Sequence, residues 1–207
     1  MRRLQALIAA LLLNGSLAAC ASASDGVSAI PASDGLTHRF VRTAQEVETG
    51  QEAKAPSGYL AFCARNPGEC GIRRDRPSKL TFSQQLWEQL ETVNTVVNEA
   101  VRPLDDQDHY GIAEFWTVPV DGQGDCEDYV LAKRKMLTLL GLPAEALRIT
   151  VVLNRNSVRH AVLTAVTTQG DYVLDSAQRD ILPAGQTGYH WIERQDAVSA
   201  TGWSALN

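Results

Sequence analysis

The stretch Gly122-Gln123-Gly124-Asp125-Cys126-Glu127-Asp128 decides how the rest of the chain is read. Two glycines make a turn, and a helical pattern starts directly behind it. Tyr129, Val130, Ala132, Met136, Leu137 and Leu140 fall on one apolar side, which predicts a helix over about 126–140. Gly141 suits the left-handed position after its last turn, and Pro143 cannot continue it. Cys126 therefore sits in the first helical turn. Backbone N–H groups there lack partners, and their partial positive charge stabilises a thiolate. The glycines let a substrate approach the backbone, and the free N–H groups can hold an oxyanion. This is a good position for a nucleophilic thiol.

The flanking residues oppose that role. Asp125, Glu127 and Asp128 are acidic, and negative charge raises a thiol's pKa. Two resolutions are open. Asp125 and Asp128 can be absorbed as a D-x-x-D variant of the capping box. Alternatively some of these acids bind a cation, and an all-oxygen set suits Ca²⁺.

Downstream of the helix the period changes. Leu147–Leu153 reads as a strand, 154–157 as a turn and Arg159–Val166 as a second strand. A turn at Thr168-Gln169-Gly170-Asp171 leads to a third, Tyr172–Asp175. Helices followed by hairpin-linked strands make the fold class α+β, with the helix that bears Cys126 packed on an antiparallel sheet. His160 alternates with Val162 and Thr164 on one face. An even-length loop near Gln169 places Asp175 on that same face, opposite or diagonal to His160. A lone strand histidine is ordinarily a structural residue. A helix-start Cys, a strand His and an adjacent Asp together form the nucleophile, base and orienting acid of an acyl-transfer site. His38 falls in a linker, His109 in a loop and His190 near the C-terminal end.

Upstream, Phe82, Leu86, Leu90, Val93 and Val97 predict a core helix over Thr81–Val101, capped by Thr81 or Ser83 and followed by Pro103. Residues 102–124 read as loop, with Asp105, Asp106 and Asp108 solvated and Trp116 in either the core or a cleft wall. Cys63 and Cys70 flank the turn-forming Asn66-Pro67-Gly68, a spacing that suits a disulfide in an oxidising compartment and leaves Cys126 unpaired.

The amino terminus carries Arg2 and Arg3, an apolar run from Leu4 to Leu13 and then small residues, which reads as a secretory signal over 1–20. Leu17-Ala18-Ala19-Cys20 is similar to a lipobox, in which Cys20 carries a lipid anchor; cleavage after Ala21-Ser22-Ala23 is the alternative. Residues 21–56 lack hydrophobic periodicity and read as a flexible linker to a domain over 57–207. The expected location is the periplasm, with or without a membrane anchor. The 207 residues are 44% hydrophobic and 21% charged, enough for a real core, and their net charge of −5 with no basic run excludes nucleic acid as a main partner.

Gly124-Asp125-Cys126-Glu127-Asp128-Tyr129, Arg159-His160-Ala161-Val162-Leu163 and Asp175-Ser176 resemble the bacterial transglutaminase-like cysteine proteinase family. Cys63 and Cys70, the Asn94/Asn98 helix, Trp116 with Pro119, Tyr189-His190-Trp191 and Arg194-Gln195 extend the likeness over about residues 58–196. The resemblance implies a papain-like transglutaminase core and a triad of Cys126, His160 and Asp175. It implies a calcium site that includes Asp125 and Glu127, and a protein substrate of the surface-adhesin kind, cut in the control of biofilms. It also implies an inner-membrane cyclic-di-GMP receptor as regulator. The lipobox-like Cys20 departs from the soluble adhesin proteases of this family. Two other functions fit the same residues. One is a transglutaminase or amidase using the same triad; the other is a non-catalytic envelope lipoprotein that keeps the fold as a binding module.

Overall fold

The computed structural model describes residues 45–206. The expected export signal with Cys20, His38 and most of the expected linker lie outside them. Among the described residues no helix is long and apolar enough to cross a membrane.

The three predicted strands form the middle of a sheet. β4 (Leu147–Leu153) pairs with β5 (Arg159–Thr167), and β5 with β6 (Gly170–Leu174), all antiparallel. β7 (Leu182–Pro183) closes one edge. On the other side β8 (His190–Gln195) pairs with β4, then β9 (Trp203–Leu206), then β1 (Thr49–Ala53), for the order β1-β9-β8-β4-β5-β6-β7. Both faces of the central strands are buried, which explains their nearly continuous apolar runs. Leu147, Ile149, Val151, Ala161, Leu163, Ala165, Tyr172 and Leu174 join the main core beside the helices. Val152, Val162 and Val173 belong to a second cluster, covered by Val47, Ala184, Tyr189 and Trp191. Thr150 and Thr164 point to this second side and satisfy each other through a hydroxyl–hydroxyl bond of 2.7 Å.

The helices follow α1 (Ser57–Arg65), α2 (Gln84–Ala100), α3 (Asp106–Tyr110) and α4 (Cys126–Leu139). Ser83 caps α2, its hydroxyl accepting the Leu86 N–H at 3.1 Å. Leu86, Leu90, Val93 and Val97 bury that helix's apolar stripe in the core. Truncating fully buried Leu90 to Ala would cost about 2–5 kcal/mol. α4 ends near the expected place, with Gly141 at a φ of 94°. A short parallel pair, β2 (Arg102–Pro103) with β3 (Gln123–Gly124), ties the turn before Cys126 to the end of α2. The Tyr129 hydroxyl reinforces it by donating to the Val101 carbonyl at 2.6 Å.

Three expectations change. The fold begins before residue 57, because Thr49–Ala53 of the supposed linker is edge strand β1. Its side chains are mostly exposed, so no apolar period marks it. Residues 102–124 are not plain loop, and Asp106 is only 1% exposed rather than solvated. Trp116 is a core residue at 3% exposure, in edge contact with Tyr59. The Cys63–Cys70 disulfide is present, and Cys126 is free.

Candidate active site

Cys126 opens α4, and that helix packs on β5, the strand that begins with Arg159 and His160. The Ala161 N–H points at the Cys126 Sγ at 3.4 Å, which sets the thiol beside the start of β5. The Cys126 thiol itself donates to Glu127 Oε2 at 3.2 Å. A Cβ at Gly124 would collide with the Asp128 carboxylate, so only glycine allows this tight entry into the helix.

His160 and Asp175 meet as the alternation predicts. The β5–β6 register pairs Thr167 with Gly170 and Leu163 with Leu174, leaving the two-residue loop 168–169. Continued outward, that register puts Asp175 opposite Val162 and diagonal to His160. His160 Nε2 lies 2.7 Å from Asp175 Oδ1, and the two side chains are 12% and 2% exposed. This bond assigns the Nε2 hydrogen to the Asp175 side and leaves Nδ1 as the acceptor. Burial pushes the Asp175 carboxyl up, but the His160 hydrogen bond and charge and the Tyr189 hydrogen bond outweigh it. The net result is a carboxyl held below its ordinary value and ionised.

The backbone of this segment is also fixed. Asn98 on α2 donates to the Asp175 carbonyl at 2.8 Å, and Asn94 to those of Gln178 and Arg179 at 3.3 and 3.0 Å. The amide–carbonyl contacts give the two asparagines a structural use that their spacing alone does not reveal.

The Asp125 half of the expected capping box is absent. Asp125 occupies the N-cap position, yet its side chain makes no capping bond. Asp128 Oδ1 accepts the Thr117 N–H at 2.8 Å. Burial first, then the charge of Asp125 and its contact, lifts the Glu127 carboxyl to about 9. Burial, with the charges of Asp125 and Asp106, lifts Asp128 to about 8. Burial and the Glu127 charge, followed by that of Asp125, push the Cys126 thiol well above its usual range. The conflict anticipated from the sequence is therefore built into the folded site.

Two groups of ligand-type side chains share Asp125. One is Asp125, Cys126 and Glu127; the other is Asp106, Asp125 and Asp128, the donor atoms of each lying within 4.8 Å of one another. Asp106 Oδ1 and Asp128 Oδ2 are buried without a hydrogen-bond partner. Asp106 was hidden among three loop acids in the sequence. The start of α3 and the bond from the Phe115 N–H to its Oδ2 bring it here.

His109 is bound to Asp121 at 2.9 Å, and His190 lies at the exposed start of β8. Neither is brought into the His160–Asp175 pair.

The sequence profile of the bacterial transglutaminase-like cysteine proteinases (BTLCP) matches residues 49–207. No curated protein matches the chain. Among solved structures, calcium-bound Legionella pneumophila LapG is 29% identical, with a TM-score of 0.48, over 54% of this chain and 66% of that one. LapG without that description gives 29%, 0.48, 54% and 64%. The EGTA-treated form gives 30%, 0.48, 54% and 64%. The match spans just under two thirds of the LapG chain. With the family profile covering well over half of its residues, the chain belongs to the bacterial transglutaminase-like cysteine proteinase family.

Proposed function

We propose that this chain is an exported cysteine endopeptidase acting through Cys126, His160 and Asp175. The observation that carries the reading is the 2.7 Å His160–Asp175 bond, set beside a thiol that rests against the next residue's N–H. Asp175 accepts the Nε2 hydrogen and holds the imidazole in one tautomer. His160 Nδ1 then takes the proton of the Cys126 thiol, and the thiolate attacks a peptide carbonyl. N–H groups in the first turn of α4 receive the oxyanion. The imidazolium returns its proton to the leaving amine. Water, deprotonated by His160, hydrolyses the thioester and frees Cys126.

The thiol's acidic surroundings support calcium as a resident cation. The donors fit a hard ion: they are carboxylate oxygens, and three of them, one each on Asp106, Asp125 and Asp128, are buried and unpartnered. Asp106, Asp125 and Asp128 would hold it, with Glu127 adjacent. When bound, the ion supplies positive charge that offsets the acids holding the Cys126 proton in place.

The arginine-led apolar start of the sequence supports export to the periplasm, soluble or anchored through Cys20. A surface protein of the adhesin kind, under a cyclic-di-GMP receptor, is the substrate and control that the family resemblance supports.

The test is surface proteomics of cells carrying the chain or its Cys126→Ala variant. The proposal expects a surface protein to be shortened only with the intact thiol. Equal processing by both would overturn it, and incorporation of a labelled amine in place of cleavage would move the reaction to transamidation.

A further inference from the structure

Asp175 is almost wholly buried, and its two carboxylate oxygens are held differently. Oδ1 accepts from His160 Nε2 and from the Ala177 N–H at 2.9 Å. Oδ2 receives one short bond, from the Tyr189 hydroxyl at 2.6 Å. The Tyr189 ring also stands edge-on to the His160 ring, with centroids 6.1 Å apart. We propose that Tyr189 is a positioning residue of the site, which fixes the rotation of the Asp175 carboxylate and sets how strongly it attracts the His160 imidazolium. The inference rests on the peptidase reading above.

The surroundings of Tyr189 are built to hold that hydroxyl in place. Its ring packs in the second core cluster with Val152, Val162, Val173 and Ala184. Its N–H donates to the Thr187 hydroxyl at 3.2 Å, which in turn donates to the Ala184 carbonyl at 2.9 Å. Arg155, in the turn between β4 and β5, grips the Thr187 carbonyl through Nε at 3.2 Å and Nη2 at 3.0 Å. Gly188 between them has a φ of 70°, and a Cβ there would lie 3.1 Å from Arg155 Nε. The β4–β5 turn that leads into His160 thus also holds the loop that carries Tyr189.

A buried carboxylate that loses the donor on one oxygen keeps more of its charge for the other, so it attracts the imidazolium more strongly while its rotation is less fixed. The charged and titratable groups facing Asp175 are His160 from β5, Tyr189 from its loop and, across the core, Lys133 from α4. Tyr189 is the one of these that bonds Oδ2.

The test is an NMR titration of the histidine rings in the full chain carrying Cys126→Ala, compared with the same chain carrying Tyr189→Phe as well. Phe keeps the ring and its packing. With the donor gone, Asp175 becomes more basic, and the His160 midpoint rises by about half a unit or more. In the chain with Cys126 intact, Tyr189→Phe lowers kcat about tenfold and leaves KM unchanged. An unmoved midpoint with unchanged kcat overturns the inference. Should Tyr189→Phe fail to fold, 3-fluorotyrosine at 189, a stronger donor of nearly the same shape, must move the midpoint down; no movement overturns the inference equally. The titration needs no substrate. Absence of cleavage by the unsubstituted chain would sink the peptidase reading while this result still stood.

Discussion

His160 Nε2 and Asp175 Oδ1 are 2.7 Å apart across the β5–β6 hairpin, and the contact is diagonal rather than directly opposite. The carboxylate therefore reaches the ring from one side and leaves Oδ2 free for Tyr189. An acceptor at this position keeps the Nε2 hydrogen in place whether or not it is charged. Asp175→Ala removes the acceptor and should lower kcat by roughly a hundredfold or more. Asp175→Asn retains an oxygen that can accept the same bond and should fall between the two. Equal losses in both variants, measured on a peptide substrate, would show that charge rather than orientation decides.

The raised carboxyls of Glu127 and Asp128 make stability depend on pH. Their unfolded values are near 4.5 and 3.8, against about 9 and about 8 in the fold. The folded chain thus binds protons more tightly, and the stability this contributes is full below the unfolded values. It is lost as pH rises through the window up to about 8 and 9. Without calcium, the thermal midpoint should fall between pH 5 and pH 8. Added calcium should raise it more at pH 8, where the acids are readier to ionise. A midpoint flat with pH and indifferent to calcium and EGTA would remove the cation from the mechanism.

Lys133 is fully buried in α4, and its Nζ has no hydrogen-bond partner. Burial lowers it to about 7, against an ordinary 10.5. Between those values the unfolded chain holds the extra proton, so this residue makes stability rise with pH across that window and costs most below it. Lys133→Met should stabilise the chain at pH 7 by about 1–3 kcal/mol and abolish that rise. Urea unfolding at several pH values measures both effects. A less stable Met variant would mean that the ammonium has a use inside the core.

The Cys63–Cys70 bridge closes a short loop beside the core, where Cys70 is 3% exposed. The double variant Cys63→Ser/Cys70→Ser should lose about 2–3 kcal/mol, chiefly through added freedom of the unfolded chain. Reaction of Cys126 with a thiol reagent should be unchanged in the folded variant. Altered Cys126 reactivity would point to coupling between the two.

The local pattern of residues was enough for the helix that starts at Cys126, the three central strands and the diagonal neighbours His160 and Asp175. Each follows from a period of 3.6 or 2 and from a turn of countable length. Those are short-range properties, and a sequence states them directly. Edge strand β1 left no such mark, because it gains its place from backbone pairing with β9 while its side chains stay in water. Asp106 read as one of three solvated loop acids, and only the packing of α3 against the turn before Cys126 buries it beside Asp125 and Asp128. Of the two uses left open for Asp125 and Asp128, the Asp125 side-chain cap does not form, and Asp128 accepts the Thr117 N–H, a partner supplied by the folded loop. Tyr189 lies 14 residues beyond Asp175 in the chain, and no spacing rule joins them. The sequence by itself singled out the thiol, imidazole and carboxylate of the proposed triad, since all three sit on or beside regular elements. The tertiary structure decided their state: burial and long-range neighbours set which carboxyls keep a proton, which oxygens lack partners and what holds Asp175 in line.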